Sequence, residues 1–330
     1  MSSPAISVLM PCYNASEFIR ESIESILSQT YSDFELIVIN DGSTDDTQTI
    51  IEEYAERDKR IKIMSKSNSG LPDSLNVGLL PAKGEWIARL DADDIAMPNR
   101  LQKQIEYIGK KCDTVLLGSG CIIIDQCGNE INKYKYPEDH HELVRLMERI
   151  GSPFPHSSAF FSRKLVQKIG GYYSRFNACE DVDLWLRISN FGSIGCLSEP
   201  LIKLRKHSGS ITAKKWKYYA IMNVAAIICN LRTKYGMTPP SDVDEKNWFD
   251  FLKWIENELD NKHYFDSIEK WDKIRNIWYD KNINSVERGY KLFLNVLAHP
   301  NLFIIKTIHK IVGSSLAEKL AIESKIMWPG

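Results

Sequence analysis

The stretch from Trp86 to Arg100, WIARLDADDIAMPNR, decides how the chain is read. Trp86 to Leu90 is an apolar, β-rich run suited to a buried strand, and it stops at three acids, Asp91, Asp93 and Asp94. A buried strand therefore delivers a carboxylate cluster to its own C-terminal edge. In an open α/β sheet that edge is where ligands bind, and clustered carboxylate oxygens suit a hard cation, Mg²⁺ or Mn²⁺, holding phosphates. The same residues also fit an acidic helix start, with Asp93 or Asp94 capping a helix through Pro98 to Tyr107. On these residues alone the two readings stand level.

Outward toward the N-terminus, strand and helix signals alternate. Ala5 to Met10 is a short apolar strand ended by Pro11, and Ser16 then caps a helix with Ile19, Ile23, Ile26 and Leu27 on one face. Phe34 to Ile39 is a second strand, followed by the turn Asp41-Gly42-Ser43-Thr44-Asp45 and a helix carrying Ile50, Ile51 and Tyr54. Ile61 to Met64 is a third, and Asn68-Ser69-Gly70 leads into a helix through Leu75 and Leu79. Such alternation predicts a mostly parallel sheet. Ligand-facing loops then begin at Pro11, Asp41, Asn68 and Asp91; singly, Gly42 and Gly70 are ordinary turn glycines, and their shared position at strand ends favours a site.

Toward the C-terminus, Thr114 to Ile124 is strand-like, Asp125 to Asn129 a turn, Glu138 to Ile150 a helix, Pro153-Phe154-Pro155-His156 a rigid loop and Ser158 to Phe161 a short strand. Gly170-Gly171 breaks the chain before Tyr172 and Tyr173. Glu180 to Ile188 opens a helix whose first-turn acids complement its dipole, with Leu184 and Ile188 inward and Arg187 paired to Asp183. The same acids, with Trp185 and the glycine-aromatic loop before them, also fit a sugar platform with a base beside it. Leu201 to Leu204 is a last strand, leading to His207.

The chain has 330 residues, enough for one large domain and a smaller one, with 43% hydrophobic and 26% charged residues and a formal net charge of -1. That balance argues against a general nucleic-acid binder. Its 7 cysteines form no CxxC pair and read as free thiols of a reducing cytoplasm. There is no basic signal-peptide start and no run of about 18 apolar residues, so neither export nor a membrane span is expected. From Pro200 to Ser241 there is no acid, while Lys203, Arg205, Lys206, Lys214, Lys215, Lys217, Arg232 and Lys234 lie inside it. This is either a solvated face or one that meets phosphates or an anionic membrane. Beyond Pro239-Pro240, Trp248, Phe251, Leu252, Ile255 and Leu259, then Trp271, Ile274 and Trp278, recur at helical spacing, and Leu302 to Val312 is amphipathic and basic.

The motifs Pro11-Cys12-Tyr13-Asn14, Ile39 to Asp45, Asn68-Ser69-Gly70 with Asn76-Val77-Gly78, Leu90 to Asp94 and Glu180-Asp181 together resemble the inverting family-two glycosyltransferases of the GT-A fold. The resemblance spans roughly the first two-thirds of the chain, in the family's order. It implies a Rossmann-like, mostly parallel α/β domain over 1–239; the region over 240–330 falls outside it, and there the helical spacing alone predicts a helical region that faces membrane or acceptor. It also implies a UDP-sugar donor: Pro11 and Tyr13 line the base pocket, Asp41 accepts from uracil, and Asn68, Asp91 and Ala92, with Glu17, hold the nucleotide. Asp93 would ligate Mn²⁺ or Mg²⁺, with His207 either a second ligand or a contact to the diphosphate, Asp181 would be the base, and Glu180 and Trp185 would orient the acceptor. The expected acceptor is a saccharide on a lipid diphosphate, used in O-antigen or other surface polysaccharide synthesis, and the expected place is the cytoplasm, peripherally on the inner membrane face.

Rival readings fare less well. A glycoside hydrolase also pairs carboxylates but gives no reason for four successive ligand-facing loops or a metal cluster. A dinucleotide oxidoreductase would need a GxGxxG turn where PCYNASEF stands. A non-catalytic nucleotide-sugar-binding component of an assembly would not need Asp91, Asp93 and Asp181 together.

Overall fold

The computed structural model describes residues 3–207, 216–242 and 244–261. Its first elements alternate as expected: β1 (Ile6–Cys12), α1 (Ile19–Leu27), β2 (Phe34–Asn40), α2 (Thr47–Arg57), β3 (Ile61–Ser65), α3 (Leu71–Leu79) and β4 (Trp86–Arg89). They are followed by β5 (Ile95–Ala96), α4 (Arg100–Lys110), β6 (Thr114–Ile124), β7 (Glu130–Tyr134), α5 (His140–Ile150), β8 (Phe160–Ser162), α6 (Arg163–Lys168), α7 (Glu180–Ile188) and β9 (Ser193–Arg205). One sheet runs in the order β3-β2-β1-β4-β8-β6-β9-β5, with β7 added to β6.

The half from β3 to β4 is parallel, and β8 then pairs antiparallel with both β4 and β6. The parallel strands are buried along both faces: β1 and β2 have no exposed residue, which is why they read as continuous apolar runs. Their shared direction brings the ends of β1, β2 and β4 to one edge of the sheet. Asp41 N–H donates to the Cys12 carbonyl at 2.9 Å and Leu90 N–H to that of Leu9 at 3.1 Å, so Tyr13, Asp41 and Asp91 all leave from that edge.

Several boundaries differ from the sequence reading for local reasons. β1 runs through Pro11 to Cys12 rather than stopping at it. Residues 9 and 11 of a strand point the same way, and the β1 ladder with β4 ends at Leu9 opposite Arg89, so the N–H that proline lacks is not needed. Ser16 does not cap α1; its N–H donates to Asp45 at 3.1 Å, and the helix begins after Phe18. Asp93 and Asp94 do not cap α4 either, because that helix begins at Arg100 behind Asn99, with β5 in between. β7 was missed because its residues are mostly exposed and carry no apolar alternation. β9 is far longer than Leu201 to Leu204 because its first half, from Ser193, which carries Gly195, Ser198, Glu199 and Pro200 in place of a continuous apolar run, still pairs with β6.

The chain divides into two compact units between Lys215 and Trp216, ahead of the Pro239-Pro240 boundary read from sequence. In the second unit α8 (Trp216–Lys234) packs on α9 (Glu245–Asn261), where Trp248, Phe251, Ile255 and Leu259 form the buried stripe. The two prolines therefore punctuate a helix-helix connection. No helix among the described residues is long and apolar enough to cross a membrane. The expectations for Trp271, Ile274, Trp278 and the amphipathic stretch from Leu302 to Val312 lie outside the described residues.

Candidate active site

The acids after β4 are held by Arg89 of β4 itself and by groups from two distant parts of the chain. Arg89, almost wholly buried, pairs with both oxygens of Asp91. Ser157 bridges the cluster: its Oγ lies 2.9 Å from Asp91 Oδ2, also contacts Asp94 Oδ2, and accepts from Arg89 Nη1 at 2.8 Å. Asp94 is 1% exposed and accepts the Arg205 N–H at 2.8 Å. Asp93 keeps a third of its side chain in solvent and faces His207, whose Nε2 lies 2.9 Å from Oδ2.

Oxygens of Asp91, Asp93 and Asp94 all lie within 4.8 Å of one another. Burial and the neighbouring carboxylates push Asp93 up and Asp94 well up from the ordinary aspartate range. Asp91 is held down despite burial, because Arg89 faces it. A divalent cation fits this donor set: hard oxygens with one imidazole at the open side, and crowded negative charge for the ion to offset. Asp93 and His207 are the pair still presented outward, whereas Asp94 is spent on Ser157 and the β9 backbone.

Arg205 was read only as part of a basic run, yet it organises this corner. From the end of β9 its Nε donates to the Asp93 carbonyl at 2.9 Å and its Nη1 to the Gln126 carbonyl at 3.0 Å, while Nη2 pairs with Glu21. The guanidinium lies 4.8 Å from the Phe18 ring centre, and His207 packs on the same ring at 5.1 Å.

Along the same sheet edge, Asp41 is buried at the end of β2 and accepts the N–H groups of Ser69 and Gly70, each at 2.9 Å, as well as the Lys66 ammonium. These bonds hold its carboxyl below the usual range against the effect of burial. Gly42, at φ +74, turns the chain so tightly that a Cβ there would stand 2.8 Å from the Asn68 nitrogen. The loop after β1 is tied to the loop after β2: Asn14 Oδ1 accepts from Thr44 N–H at 2.8 Å and Ala15 N–H donates to Thr47 at 2.8 Å. Tyr13 is left half exposed and Asn68 exposed beside this frame, with Pro11 and Ala92 buried beneath. Glu17 is exposed and accepts from Gln126 Nε2 at 2.7 Å.

Glu180 and Asp181 open α7. Glu180 is 7% exposed, accepts the Ala178 N–H at 3.1 Å and lies 3.6 Å from His156 Nδ1. Burial would raise its carboxyl, but His156 holds it down. Asp181 is pushed up by burial and then by Glu180, against the opposing influence of His156. Arg187 pairs with Asp183 at 2.6 Å and lies over the Tyr173 ring.

Trp185 requires a correction. It is fully buried, packed among Phe154, Phe161 and the edge of His156, so it has no face to offer a sugar. The helical period explains this: Trp185 lies between Leu184 and Leu186 on a helix buried nearly all round. Gly118 on β6 makes room for the stack, since a Cβ there would meet the Phe154 ring at 2.2 Å.

The comparisons with known proteins agree with this geometry. Residues 7–170 match the model for "Glycosyl transferase family 2". The chain is 38% identical over 224 residues to EpsE of Bacillus subtilis, a protein named as a glycosyltransferase, covering 66% of this chain and 78% of that one. It is 36% identical over 222 residues to WbnJ of Escherichia coli, an O-antigen biosynthesis glycosyltransferase, covering 65% and 84%. Among solved structures, TarS of S. aureus in complex with UDP-GlcNAc superposes with a TM-score of 0.58 at 21% identity, covering 78% of this chain and 72% of that one. The mannosyltransferase PcManGT of Pyrobaculum calidifontis, in complex with GDP-Man and Mn²⁺, gives 0.51 at 16% identity, covering 100% and 88%. The α/β domain thus has the GT-A-like fold of these neighbours, and the chain belongs to glycosyl transferase family 2.

Proposed function

We propose that this chain is an inverting, divalent-metal-dependent transferase that moves one sugar from a UDP-sugar to a hydroxyl of a saccharide acceptor. The observation that carries the reading is the pairing of two differently built acid clusters in one domain: Asp91, Asp93 and Asp94 behind β4, and Glu180 with Asp181 at the start of α7. Tyr13, Asp41 and Asn68 would receive the base and ribose, and Asp91 and Ala92 the rest of the nucleotide. Asp93 and His207 would hold Mn²⁺ or Mg²⁺, which when bound stabilises the negative charge that grows on the departing diphosphate.

Asp181 would take the proton from the attacking hydroxyl. A single displacement needs one base on the acceptor side, and burial that raises an aspartate toward neutral pH makes it a better one. Glu180, held ionised, would orient the acceptor through its hydroxyls. Glu17 is a peripheral candidate only, since its carboxylate is engaged with Gln126.

The acceptor we propose is a lipid-diphosphate-linked saccharide of O-antigen or related polysaccharide synthesis. The relative WbnJ acts in O-antigen biosynthesis by its name, and the basic stretch between Pro200 and Ser241 suits an anionic surface on the cytoplasmic side. The test is a panel of UDP-glucose, UDP-galactose, UDP-N-acetylhexosamines and GDP-mannose, scored by nucleotide released. Release from one UDP-sugar that stops in EDTA and returns with Mn²⁺ is expected. Undiminished release in EDTA, or preference for GDP-mannose, would overturn the metal or the UDP part respectively.

A further inference from the structure

Between the two acid clusters lies one turn of 3-10 helix, His156–Ser158, that no sequence motif had singled out for chemistry. Each of its residues faces a different partner. Ser157 turns to Asp91, Asp94 and Arg89. Ser158 anchors the turn from behind: its Oγ accepts the Ser119 N–H at 3.1 Å and donates to the Pro155 carbonyl at 2.8 Å, while its carbonyl accepts from Gln104 at 2.8 Å. His156 turns the other way, to Glu180 at 3.6 Å through Nδ1 and to the Tyr172 hydroxyl at 3.0 Å through Nε2.

The imidazole is clamped on all sides. Its side chain is only 10% exposed, with the Trp185 ring near-perpendicular to it at 5.6 Å and Tyr172 at 5.7 Å between ring centres. Tyr172 is fixed in turn, because Asn76 accepts its N–H at 2.9 Å and donates to its carbonyl at 2.7 Å. A ring held this firmly presents one nitrogen to the carboxylate next to Asp181 at the first turn of α7.

We propose that His156 is a positioning residue of the transfer reaction: through Glu180 it fixes the base Asp181 at a set place relative to the Asp91–Asp93 cluster, on a turn whose next residue, Ser157, braces that cluster. This rests on the transferase reading above. The function of such a strut is registration. A nucleophile must lie in line with the departing diphosphate, and a displacement of about 1 Å at a reacting centre costs about a hundredfold in rate. Binding of the base is not expected to depend on that registration, because Tyr13, Asp41 and Asn68 belong to the loops after β1, β2 and β3, where Asp41 is held by Ser69, Gly70 and Lys66.

The test measures His156→Ala, His156→Asn and Tyr172→Phe in two ways: UDP affinity in Mn²⁺ by calorimetry, and kcat and KM for UDP release from the active donor of the panel. His156→Ala is expected to leave UDP affinity and donor KM within about twofold while kcat falls about ten- to a hundredfold. His156→Asn, whose amide places a donor near the Nδ1 position, should recover most of the loss. Tyr172→Phe, which frees only the far side of the ring, should lose about three- to tenfold in kcat with UDP affinity intact. If His156→Ala does not fold, as a melting curve would show, the other two variants decide. Unchanged kcat in Tyr172→Phe and His156→Ala, or a parallel fall in UDP affinity, would overturn the proposal. A wild-type chain that neither binds UDP nor releases it from any donor would instead bring down the transferase reading, and this inference with it.

Discussion

The two acid clusters look alike in sequence and are built differently. Asp91-Ala92-Asp93-Asp94 and Glu180-Asp181-Val182-Asp183 are both short acidic runs beside apolar elements, and either could have been a helix start. Only the second is one. At the strand end, two of three acids are spent on the protein: Asp91 on Arg89 and Ser157, Asp94 on Ser157 and the Arg205 backbone. Asp93 is left outward with His207. At the helix start, Glu180 is spent on His156 and the Ala178 N–H, and Asp183 on Arg187, and Asp181 is left with the N–H of its neighbour Val182 and with Ser152. Each cluster thus ties down its other acids and leaves one carboxylate for the role proposed for it. Each has an arginine on one acid, Arg89 on Asp91 and Arg187 on Asp183, and the difference lies in where the imidazole stands: His207 faces the outward carboxylate Asp93 itself, whereas His156 faces Glu180, the neighbour of Asp181.

The largest effect expected from this division is on turnover. Asp181→Asn keeps the shape and removes the proposed base, and should lower kcat by about 10²- to 10⁴-fold, read as UDP release from the active donor. Equal loss in an Asp183→Asn variant, whose carboxylate pairs with Arg187, would blur the comparison.

The next concerns Trp185, which the comparison assigns to support rather than to acceptor contact. Trp185→Ala should destabilise the domain by about 3–5 kcal/mol through the cavity it leaves, read as a denaturant midpoint. A variant with unchanged stability and a raised acceptor KM would restore the platform role.

A smaller shift is expected in the pH profile. The base works ionised, so activity rises with pH through its pKa, and because burial raises Asp181 the acid limb should lie above the ordinary aspartate value. Glu180→Gln removes one of the charges that raise it and should move that limb to lower pH. A limb that stays put would show that Glu180 does not act on Asp181.

The smallest concerns the frame around the nucleotide loops. Asp45 is held at about 2, against burial, by Thr47 and Ser16. Its folded value lies below the unfolded one, so it adds stability above the ordinary aspartate value of 3.8, and that stability fades as pH falls toward 2. Asp45→Asn should cost about 1 kcal/mol at neutral pH and nothing below pH 2, read from urea midpoints at both.

What could be read from the sequence follows the reach of the interactions. The strand-helix alternation through β4, the acids at its end and the first turn of α7 are local patterns of burial, and they lie where periodicity places them. The residues that were missed act across long separations. Ser157 meets Asp91 from 66 positions away, and Arg205 meets Asp93 from 112. Neither is marked by spacing, because a serine after Pro155-His156 or an arginine in a basic run has many ordinary fates. Trp185 was misread for the converse reason: an aromatic beside two acids looks like a platform until the helix is seen to be buried on both flanks.

The division of labour between the clusters is tested most directly by titrating UDP, in Mn²⁺, into Asp93→Ala and Asp181→Asn side by side with the wild type. The account predicts that Asp181→Asn binds UDP within about twofold of wild type while Asp93→Ala loses at least about twentyfold, since Asp181→Asn would keep the proposed metal ligand and Asp93→Ala would not. Loss of UDP affinity in Asp181→Asn, or its retention in Asp93→Ala, would contradict the account.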